Sequence, residues 1–413
     1  MNIPCVLKEN TSVLLLCHRR LGSRSRVAAP SAGQKLLSVW QMLGFLEKEL
    51  LVLSESGLLR VISGARGDLL DVASNDYLGY AREPVSRATL LECAATELGA
   101  GASRLIFGTT QQHLGLEAEL ADWVGMESSL LFSSGYAANL GLLQALCGPG
   151  DLVVSDALNH ASIIDGCRLS RAEVAVVPHR SVESVARALA SKTPRRRAFV
   201  VTESYFSMDG DLADLPGLRQ VCDQHSAALL VDEAHALAVF GPEGGGLCRA
   251  AGVLPDALTG TLGKGVGSQG AFVAGSQALK RWLWNRARSL VFSTAPSPLL
   301  ACLTLRNVRR ARADDLRREH VSSSARILRT RLLGAGLKLP PDSIGPIVAI
   351  LLGDNARALR AAEALQGDGF RAQAIRPPTV PDNGARLRIT VSSALDEATL
   401  ERLAVCLISA CAE

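Results

Sequence analysis

The chain has 413 residues, of which 48% are hydrophobic and 20% are charged, and its formal net charge is +4. This composition is typical of a soluble globular protein, and so small a charge argues against a dedicated nucleic-acid surface. The length exceeds what one compact core accommodates, so a large domain with a smaller one is expected. No apolar run is long enough to span a membrane.

The ten cysteines are scattered, without CxxC pairs or clustering with histidine, so the sequence predicts no metal site. Four of them, Cys147, Cys167, Cys222 and Cys302, stand in apolar surroundings. We expect these four to be small buried hydrophobic side chains in a reducing, cytoplasmic compartment.

Residues 1–42 differ from the rest of the chain, with a short apolar stretch followed by arginines and then small residues. A secretory signal places its charges before the apolar stretch, so the order here does not fit one. We expect a disordered extension or an over-called start codon, because the globular pattern begins near Met42. Residues 43–72 then form an N-terminal segment.

Short apolar runs bounded by turn residues follow, and they alternate with helical stretches such as residues 215–225. The runs predicted to be strands are residues 198–203, 227–235, 258–262 and 270–275. Strands that alternate with helices indicate an α/β fold whose largely parallel sheet is covered on both faces. We assign this pattern to a large domain, residues 73–300.

The pattern changes after residue 300, where a long arginine-rich helical region begins. Two strands and two helices are predicted after it, at residues 345–353, 355–367, 386–391 and 396–411. This part, residues 301–413, is predicted to be a small α+β domain. Strand alternation in residues 386–391 places Arg386, Arg388 and Thr390 on one face. A solvated arginine and a binding arginine are equally compatible with that pattern.

Polar residues stand at several predicted strand ends. Asp232 ends one apolar run and His235 follows it, at the edge where parallel sheets bind ligands. A helix is predicted to start near Tyr136, after Ser134 and Gly135, and its free N–H groups suit an anion. Taken singly, a capping aspartate and an ordinary helix start explain these features better than a binding site does.

Two further turns carry polar residues. His160 lies in a short polar turn between apolar runs, and Ser207 follows Glu203 just beyond another strand, ahead of a predicted Met-Asp-Gly turn. Lys264 lies in the glycine-rich stretch TGTLGKGVGSQG, residues 259–270. Glycines there either make a flexible turn or clear space around a nucleophilic amine.

The combination is more specific than its parts. Pyridoxal 5'-phosphate needs a lysine for a Schiff base, a carboxylate at its ring nitrogen and a cup of N–H and hydroxyl groups for its phosphate. The chain supplies the cup near Gly135, then Asp232, then Lys264, each beside a predicted strand end. The ordered set therefore predicts a pyridoxal-phosphate enzyme with Lys264 as the Schiff-base lysine.

Several motifs then resemble the α-oxoamine synthases, which are fold-type I pyridoxal-phosphate transferases that condense an amino acid with an acyl thioester and release carbon dioxide. The resemblance covers about residues 43–410, and its motifs are residues 74–80, 99–123, 132–141, 156–166, 202–211, 231–236 and 261–275. Residues 285–298 most resemble the branch that joins L-alanine to a pimeloyl thioester, on coenzyme A or an acyl carrier protein, in biotin biosynthesis. The resemblance also implies a homodimer with shared active sites.

The resemblance implies a role for each matching residue. Lys264 would bind the cofactor and take the α-proton, Asp232 would pair with the ring nitrogen, and His160 would stack on the ring. The remaining cofactor contacts would come from Ser207 and His235 at the phenolic oxygen, from Gly135, Tyr136 and Thr261 at the phosphate, and from Thr294 of a second subunit. Asn75 and Arg388 would bind the amino-acid carboxylate, and Thr379 and Arg60 would lie toward the acyl substrate.

The sequence departs from the family pattern at a few positions. Gly246 stands where an arginine is expected, Gly265 stands where alanine is usual, and Ser204-Tyr205 replace smaller or aliphatic residues. These departures bear on the acyl chain more than on the cofactor.

Four other interpretations compete with this branch. One is a sister enzyme, such as 2-amino-3-ketobutyrate ligase or a secondary-pathway synthase, and another is a pyridoxal-phosphate lyase or aldolase. A third is a catalytically silent subunit, which would not need Lys264, Asp232 and His160 together. A nucleotide-binding protein is disfavoured because the glycines of residues 241–246 lack GxGxxG spacing.

Overall fold

A computed structural model describes residues 43–60, 67–191 and 195–412 of the chain. Contacts divide the chain into two compact units, residues 1–61 and residues 62–413. The predicted extension at residues 1–42 lies outside the described residues. In the first unit a single helix, α1 (Phe45–Glu55), is described, and none of its residues is buried. Within the described ranges, no helix is long and apolar enough to cross a membrane.

The second unit alternates strands and helices through most of its length. Its described strands are β1 (Leu70–Asp71), β2 (Ser128–Phe132), β3 (Leu152–Asp156), β4 (Glu173–Val177), β5 (Ala198–Glu203), β6 (Ala228–Asp232), β7 (Ala257–Thr261), β8 (Ala271–Gly275), β9 (Ile347–Gly353), β10 (Phe370–Arg371), β11 (Gln373–Ile375) and β12 (Ala385–Thr390). Its described α-helices are α2 (Arg87–Cys93), α3 (Gln111–Val124), α4 (Gly135–Leu146), α5 (Ala161–Ser170), α6 (Val182–Leu189), α7 (Leu215–Gln224), α8 (Leu247–Ala250), α9 (Gln277–Arg286), α10 (Arg288–Val291), α11 (Pro298–Ala313), α12 (Asp315–Gly334), α13 (Asn355–Gly367) and α14 (Glu397–Cys411).

The central sheet has seven strands in the order β2-β8-β7-β6-β5-β3-β4. Strand β8 runs antiparallel to both of its neighbours, and the other pairs are parallel. Every residue of β2, β3, β5, β7 and β8 is buried, as expected for strands covered on both faces. The predicted α/β fold with a mostly parallel sheet is confirmed.

Local sequence explains where the helices at the carboxyl edge of this sheet begin. Ser134 caps α4 by accepting a hydrogen bond from the Ala137 amide at 3.1 Å. His160 caps α5 in the same way, accepting from the Ser162 amide at 3.2 Å. Both caps directly follow the turn after a buried strand, so the two helix N-termini face the same edge of the sheet.

A second hydrophobic core lies in the C-terminal part of the unit. Strands β11, β12 and β9 form an antiparallel sheet, and α12, α13 and α14 contribute buried side chains to the same core. Short strand β1 pairs in parallel with β10, which joins the N-terminal end of the unit to its C-terminal part. Helix α11 instead packs with the core of the large sheet, through Ala301, Val308 and Ala311.

One cysteine prediction is wrong. Cys147, Cys167 and Cys222 are buried free thiols as expected, but Cys302 is half-buried and forms a disulfide with Cys93. The two cysteines are 209 residues apart, and their Cα atoms lie 6.2 Å from each other where the end of α2 meets α11. Because this approach is a tertiary contact, the spacing of cysteines along the chain carries no sign of it.

Candidate active site

The predicted site residues gather at the carboxyl edge of the central sheet. Asp232 is the last residue of β6, Thr261 is the last of β7, and Glu203 is the last of β5. Because β5, β6 and β7 are neighbouring parallel strands, their ends meet at one edge. Ligands of α/β proteins bind outside this edge of the sheet.

Lys264 lies in the connection between β7 and β8. Backbone hydrogen bonds close this loop, from the Leu262 amide to the Gly270 carbonyl at 2.9 Å and from the Gly267 amide to the Lys264 carbonyl at 2.8 Å. Gly267 has φ +65°, and a Cβ there would lie 2.5 Å from the Ala81 amide nitrogen. A close approach of two backbones therefore requires this glycine, and the loop is not simply a flexible turn.

Burial lowers the pKa of Lys264 to about 8. Asp232 and Glu203 oppose this effect by favouring the charged ammonium, whereas Arg388 adds to it. An amine with such a pKa is uncharged in an appreciable fraction of molecules at neutral pH, and it can then act as a nucleophile or a base.

A chain of hydrogen bonds links Asp232 to His160. Asn139 donates from Nδ2 to Asp232 Oδ2 at 2.6 Å and to Ser162 Oγ at 2.9 Å, and Ser162 Oγ contacts His160 Nδ1 at 2.8 Å. The Ala234 amide donates to the other carboxylate oxygen of Asp232 at 2.8 Å. These contacts fix the orientation of the Asp232 carboxylate and of the His160 ring.

Glu203 is the most unusual group at this edge. Its side chain is 3% exposed, and Oε1 has no hydrogen-bond partner within the described residues. Burial, and secondly the nearby negative charge of Asp232, raise the pKa of Glu203 to about 8, although Lys264 partly offsets both effects. A buried carboxyl with a free oxygen and a raised pKa is typical of a functional site.

A second chain of contacts runs from His235 to Arg388. His235 Nδ1 lies 2.7 Å from the Tyr77 hydroxyl, which donates to Asn75 Oδ1 at 3.4 Å. Arg388 donates from Nη2 to the same Asn75 oxygen at 2.9 Å and from Nε to the Ser207 carbonyl at 2.6 Å. The structure therefore brings together four predicted residues, Asn75, Ser207, His235 and Arg388.

Burial determines the protonation states of His235 and Tyr77 in this second set of contacts. It lowers the pKa of His235 well below its ordinary value, and the positive charges of Lys264 and Arg388 lower it further. His235 is therefore a neutral imidazole at physiological pH. Burial also raises the pKa of Tyr77 to about 12, so its hydroxyl keeps its proton.

The residues predicted to form the phosphate cup are neighbours. A Cβ on Gly135 would lie 3.9 Å from Thr261 Oγ1, so the first turn of α4 and the end of β7 are in van der Waals contact. The Gly263 amide donates to Thr261 Oγ1 at 3.4 Å. Tyr136 is 44% exposed, and its hydroxyl donates to Asp165 rather than into this cup.

The three other predicted residues are exposed. Thr294 is exposed and forms a single antiparallel bridge with Ser103. Thr379 is exposed in the loop between β11 and β12, where its amide donates to the Arg376 carbonyl at 3.1 Å. Arg60 is exposed and belongs to the first unit, after α1.

Sequence reasoning assigned no role to Asn139, Ser162 or Tyr77, although each contacts a predicted residue here. Asn139 is the fifth residue of α4 and Ser162 the second of α5, and both lie inside the motifs at residues 132–141 and 156–166. The presence of both residues inside these motifs was the one available signal.

The expectation of an arginine at residue 246 conflicts with the backbone. Gly246 has φ +98°, and a Cβ there would lie 2.4 Å from Glu233 Oε2. The neighbouring Gly245 has an ordinary φ of −75°. A Cβ on Gly245 would lie 3.1 Å from Arg249 Nη1, so the Arg249 guanidinium already lies beside this turn.

These residues fit pyridoxal phosphate. Lys264 supplies an amine of lowered pKa, and Asp232 supplies an oriented buried carboxylate. Glu203 has a buried oxygen with no hydrogen-bond partner among the residues that the structure describes. The N-terminus of α4, a helix of 12 residues, supplies the N–H groups that suit a phosphate, with Thr261 beside them. Amine, carboxylate and anion site all lie at one sheet edge.

Comparisons with known proteins agree with this geometry. Residues 67–407 match the family described as aminotransferase class I and II. Two curated relatives are 8-amino-7-oxononanoate synthases: that of Alkalilimnicola ehrlichii is 44% identical over 82% of this chain and 88% of its own, and that of Mycolicibacterium smegmatis is 47% identical over 81% and 87%.

Among solved structures, the serine palmitoyltransferase of Sphingomonas wittichii is similar, with a TM-score of 0.81 and 30% identity. The match covers 91% of this chain and 98% of that one. Other matching structures of serine palmitoyltransferase contain pyridoxal phosphate.

Proposed function

The chain belongs to the aminotransferase class I and II family, and we propose that it joins L-alanine to a pimeloyl thioester with loss of carbon dioxide. The product is 8-amino-7-oxononanoate, for biotin biosynthesis, and the enzyme is a pyridoxal-phosphate-dependent acyltransferase. The named relatives, 44% to 47% identical over most of the chain, support this substrate pair.

One observation carries the proposal. Lys264, with its pKa lowered to about 8, lies in the loop after β7, and the buried Asp232 carboxylate ends the adjacent strand β6. At pH 7 about a tenth of such lysines are uncharged, against fewer than about one in a thousand for an ordinary lysine. An appreciable fraction of the Lys264 amines can therefore act as nucleophiles before any ligand binds.

When bound, pyridoxal phosphate supplies an electron sink that stabilises negative charge on the α-carbon of the amino acid. We assign Lys264 Nζ to hold the cofactor and to move the α-proton, because its burial keeps it weakly basic. The Asp232 carboxylate keeps a proton on the ring nitrogen, and Asn139 and the Ala234 amide hold that carboxylate in place.

Arg388 and Asn75 are assigned to the carboxylate of the amino acid. Arg388 is 5% exposed and uses three of its N–H groups on Ser207, Thr390 and Asn75. A guanidinium has five such groups, and Tyr77 also hydrogen-bonds to Arg388, so within the described residues one N–H group remains to bind a carboxylate. Because the guanidinium is buried and held from three sides, it orients the substrate as well as attracting it.

The remaining cofactor roles follow the resemblance. His160 would stack on the cofactor ring, and Ser207 and His235 would contact its phenolic oxygen. The phosphate is bound by Gly135, Tyr136 and Thr261. The chain Asp232–Asn139–Ser162–His160 supports the assignment of His160, because it fixes the ring relative to the carboxylate at the ring nitrogen.

We further propose a homodimer in which Thr294 reaches the partner's phosphate site. The exposure of Thr294 supports this, as do nearby exposed apolar side chains such as Phe107 and Phe292, which are 92% and 72% exposed. Thr379 and Arg60 are proposed to lie toward the acyl substrate. The two hydrophobic cores support a large and a small domain. The boundary is proposed near residue 300, although α11 packs with the core of the large sheet.

A cytoplasmic location is also proposed, and its support is mixed. Six cysteines in the described residues are free thiols, which favours a reducing compartment, whereas the Cys93–Cys302 disulfide does not. Thiol labelling of the protein in intact cells, followed by mass spectrometry of Cys93 and Cys302, decides between the two.

The test of the function starts from the absorbance of the purified protein. We expect a band at about 420 nm from the lysine-bound cofactor, which changes on addition of L-alanine. With pimeloyl-CoA or pimeloyl carrier protein, mass spectrometry should then detect 8-amino-7-oxononanoate. The variant Lys264→Ala should lose the band, and Lys338→Ala is the matched control, because Lys338 is exposed.

Other outcomes would assign the chain elsewhere. A response to glycine but not to alanine would indicate a sister α-oxoamine synthase. A cofactor band with carbon–carbon cleavage and no thioester dependence would indicate a lyase or aldolase. A colourless protein that does not take up the cofactor would indicate a silent subunit and refute the proposal.

A further inference from the structure

His179, two residues after β4, bridges two buried carboxylates outside the set of residues described above. Its Nδ1 lies 2.8 Å from Asp156 Oδ1, and its Nε2 lies 2.9 Å from Asp211 Oδ2. The side chains of Asp156 and Asp211 are 8% and 6% exposed, and that of His179 is 22% exposed. The edge of the Phe206 ring packs against the imidazole, with 4.3 Å between the ring centres.

The bridge requires a charged imidazole. Ionised carboxylates only accept hydrogen bonds, so both ring nitrogens of His179 must donate, and only the imidazolium has two N–H groups. Burial alone would lower the pKa of His179, but the hydrogen bonds to Asp156 and Asp211 outweigh it and raise the pKa to about 9. His179 is therefore positively charged at neutral pH.

Other charged groups surround the bridge. The Arg180 amide donates to Asp156 Oδ2 at 2.7 Å, and Arg180 Nη1 donates to Asp211 Oδ2 at 3.2 Å. Asp342 lies 3.8 Å from the same Arg180 nitrogen and is 75% exposed. Two cations, His179 and Arg180, thus balance the two buried carboxylates, so the cluster is neutral while His179 keeps its proton.

The two carboxylates belong to the two turns that carry site residues. Asp156 ends β3, and its carbonyl accepts from the Asn159 amide at 3.3 Å in the turn that leads to His160. Asp211 closes the turn that begins at Ser207, because its carbonyl accepts from the Phe206 amide at 3.0 Å. His179 therefore connects the His160 turn to the Ser207 turn.

Asp211 depends strongly on this connection. Its Oδ1 has no hydrogen-bond partner within the described residues, so His179 and the more distant Arg180 supply the side-chain contacts of Oδ2. The opposite side of the same turn is held by β12, through the ion pair of Asp209 with Arg386 and the bond from Arg388 to the Ser207 carbonyl. Removal of His179 would leave the Asp211 carboxylate with only the longer side-chain contact from Arg180 among the described residues.

We propose that His179 is a positioning residue, an imidazolium clamp between Asp156 and Asp211 that sets His160 and Ser207 against the cofactor. The inference rests on the proposed function, because it assumes that those two residues contact pyridoxal phosphate. His179 itself need not touch the cofactor or the substrate. Its loss acts through the geometry of the two turns.

The test compares His179→Gln with His225→Gln, a matched control at the C-terminal end of α7. Glutamine keeps one donor but lacks the charge and the second donor. Equilibrium dialysis of the holoenzymes measures cofactor dissociation. We expect about tenfold weaker retention in His179→Gln, the size typical of a lost supporting contact, and no change in His225→Gln. Unchanged retention in His179→Gln would overturn the proposal.

A double-mutant cycle tests whether His179 affects cofactor retention through the Ser207 turn. If His179 acts through the Ser207 turn, Ser207→Ala should weaken cofactor retention in wild type but add little in the His179→Gln background. Fully additive losses would overturn the proposal. If His179→Gln fails to fold, Asp211→Asn replaces it in the same cycle, with the same expected coupling and the same contrary result.

The pH dependence gives an independent readout. In wild type, cofactor retention should fall as the pH rises through about 9, because a neutral imidazole leaves one carboxylate without its donor. His179→Gln should lack this step, and a step that persists in the variant would overturn the proposal. Failure of the proposed function is distinguishable, because wild type would then show no bound cofactor at any pH.

Discussion

Replacement of Glu203 by glutamine tests whether burial keeps this carboxyl protonated in the folded protein. Glutamine has the same shape as the protonated acid and cannot ionise. The pKa of Glu203 is about 8, against an ordinary value of 4.5, so the folded protein holds a proton that the unfolded chain releases between these pH values. The free energy of unfolding of wild type should therefore fall as the pH rises from 4.5 to 8.

The magnitude follows from the pKa difference. One pKa unit corresponds to about 1.4 kcal/mol, so ionisation of Glu203 lowers the free energy of unfolding by up to about 5 kcal/mol above pH 8. Glu203→Gln avoids this cost. We expect the variant to match wild type at about pH 5 and to be more stable than wild type by several kcal/mol at about pH 9.

Urea unfolding of the cofactor-free proteins, at one protein concentration and at pH values on both sides of this range, measures the difference. Glu183→Gln is the control, because Glu183 is 81% exposed in a surface pair with Arg187. A stability difference between Glu203→Gln and wild type that stays constant with pH would refute the reasoning. A variant less stable than wild type at about pH 9 would refute it as well.

Two further substitutions test the packing around the site. Glu117→Gln should lower the free energy of unfolding by about 3–5 kcal/mol. The reason is that Glu117 is 1% exposed and pairs at 2.8 Å with the equally buried Arg104. A loss below about 1 kcal/mol in urea unfolding would contradict this. Gly246→Ala should cost about 1–3 kcal/mol, since φ is +98° and the new Cβ would meet Glu233 Oε2. An unchanged thermal midpoint would show that this turn relaxes freely.

The sequence predicted the part of the site that depends on parallel strands. Asp232 and Lys264 were placed at one edge because each follows an apolar run that reads as a strand, and parallel strands end together. The runs at 198–203 and 258–262 correspond closely to β5 and β7. Local patterns were sufficient here because neighbouring parallel strands end at the same edge of the sheet.

Contacts between distant segments could not be predicted in this way. The Asn139–Asp232 bond joins residues 93 apart, and the Tyr77–His235 bond joins residues 158 apart. The local sequence around an asparagine in a helix or a tyrosine in a loop does not identify its hydrogen-bond partner. The raised pKa of Glu203 is equally invisible in sequence, because it arises from burial beside Asp232.

The bond between Arg388 and Asn75 has a consequence for synthesis of the chain. These residues are 313 positions apart, whereas His160, Asp232 and Lys264 lie within the central stretch. On the ribosome, the residues assigned to the cofactor emerge long before β12 does. The amine and the carboxylate assigned to the cofactor are therefore synthesised before the arginine assigned to the amino acid. The amino-acid site is complete only when the C-terminal part of the chain packs against the loop that carries Asn75.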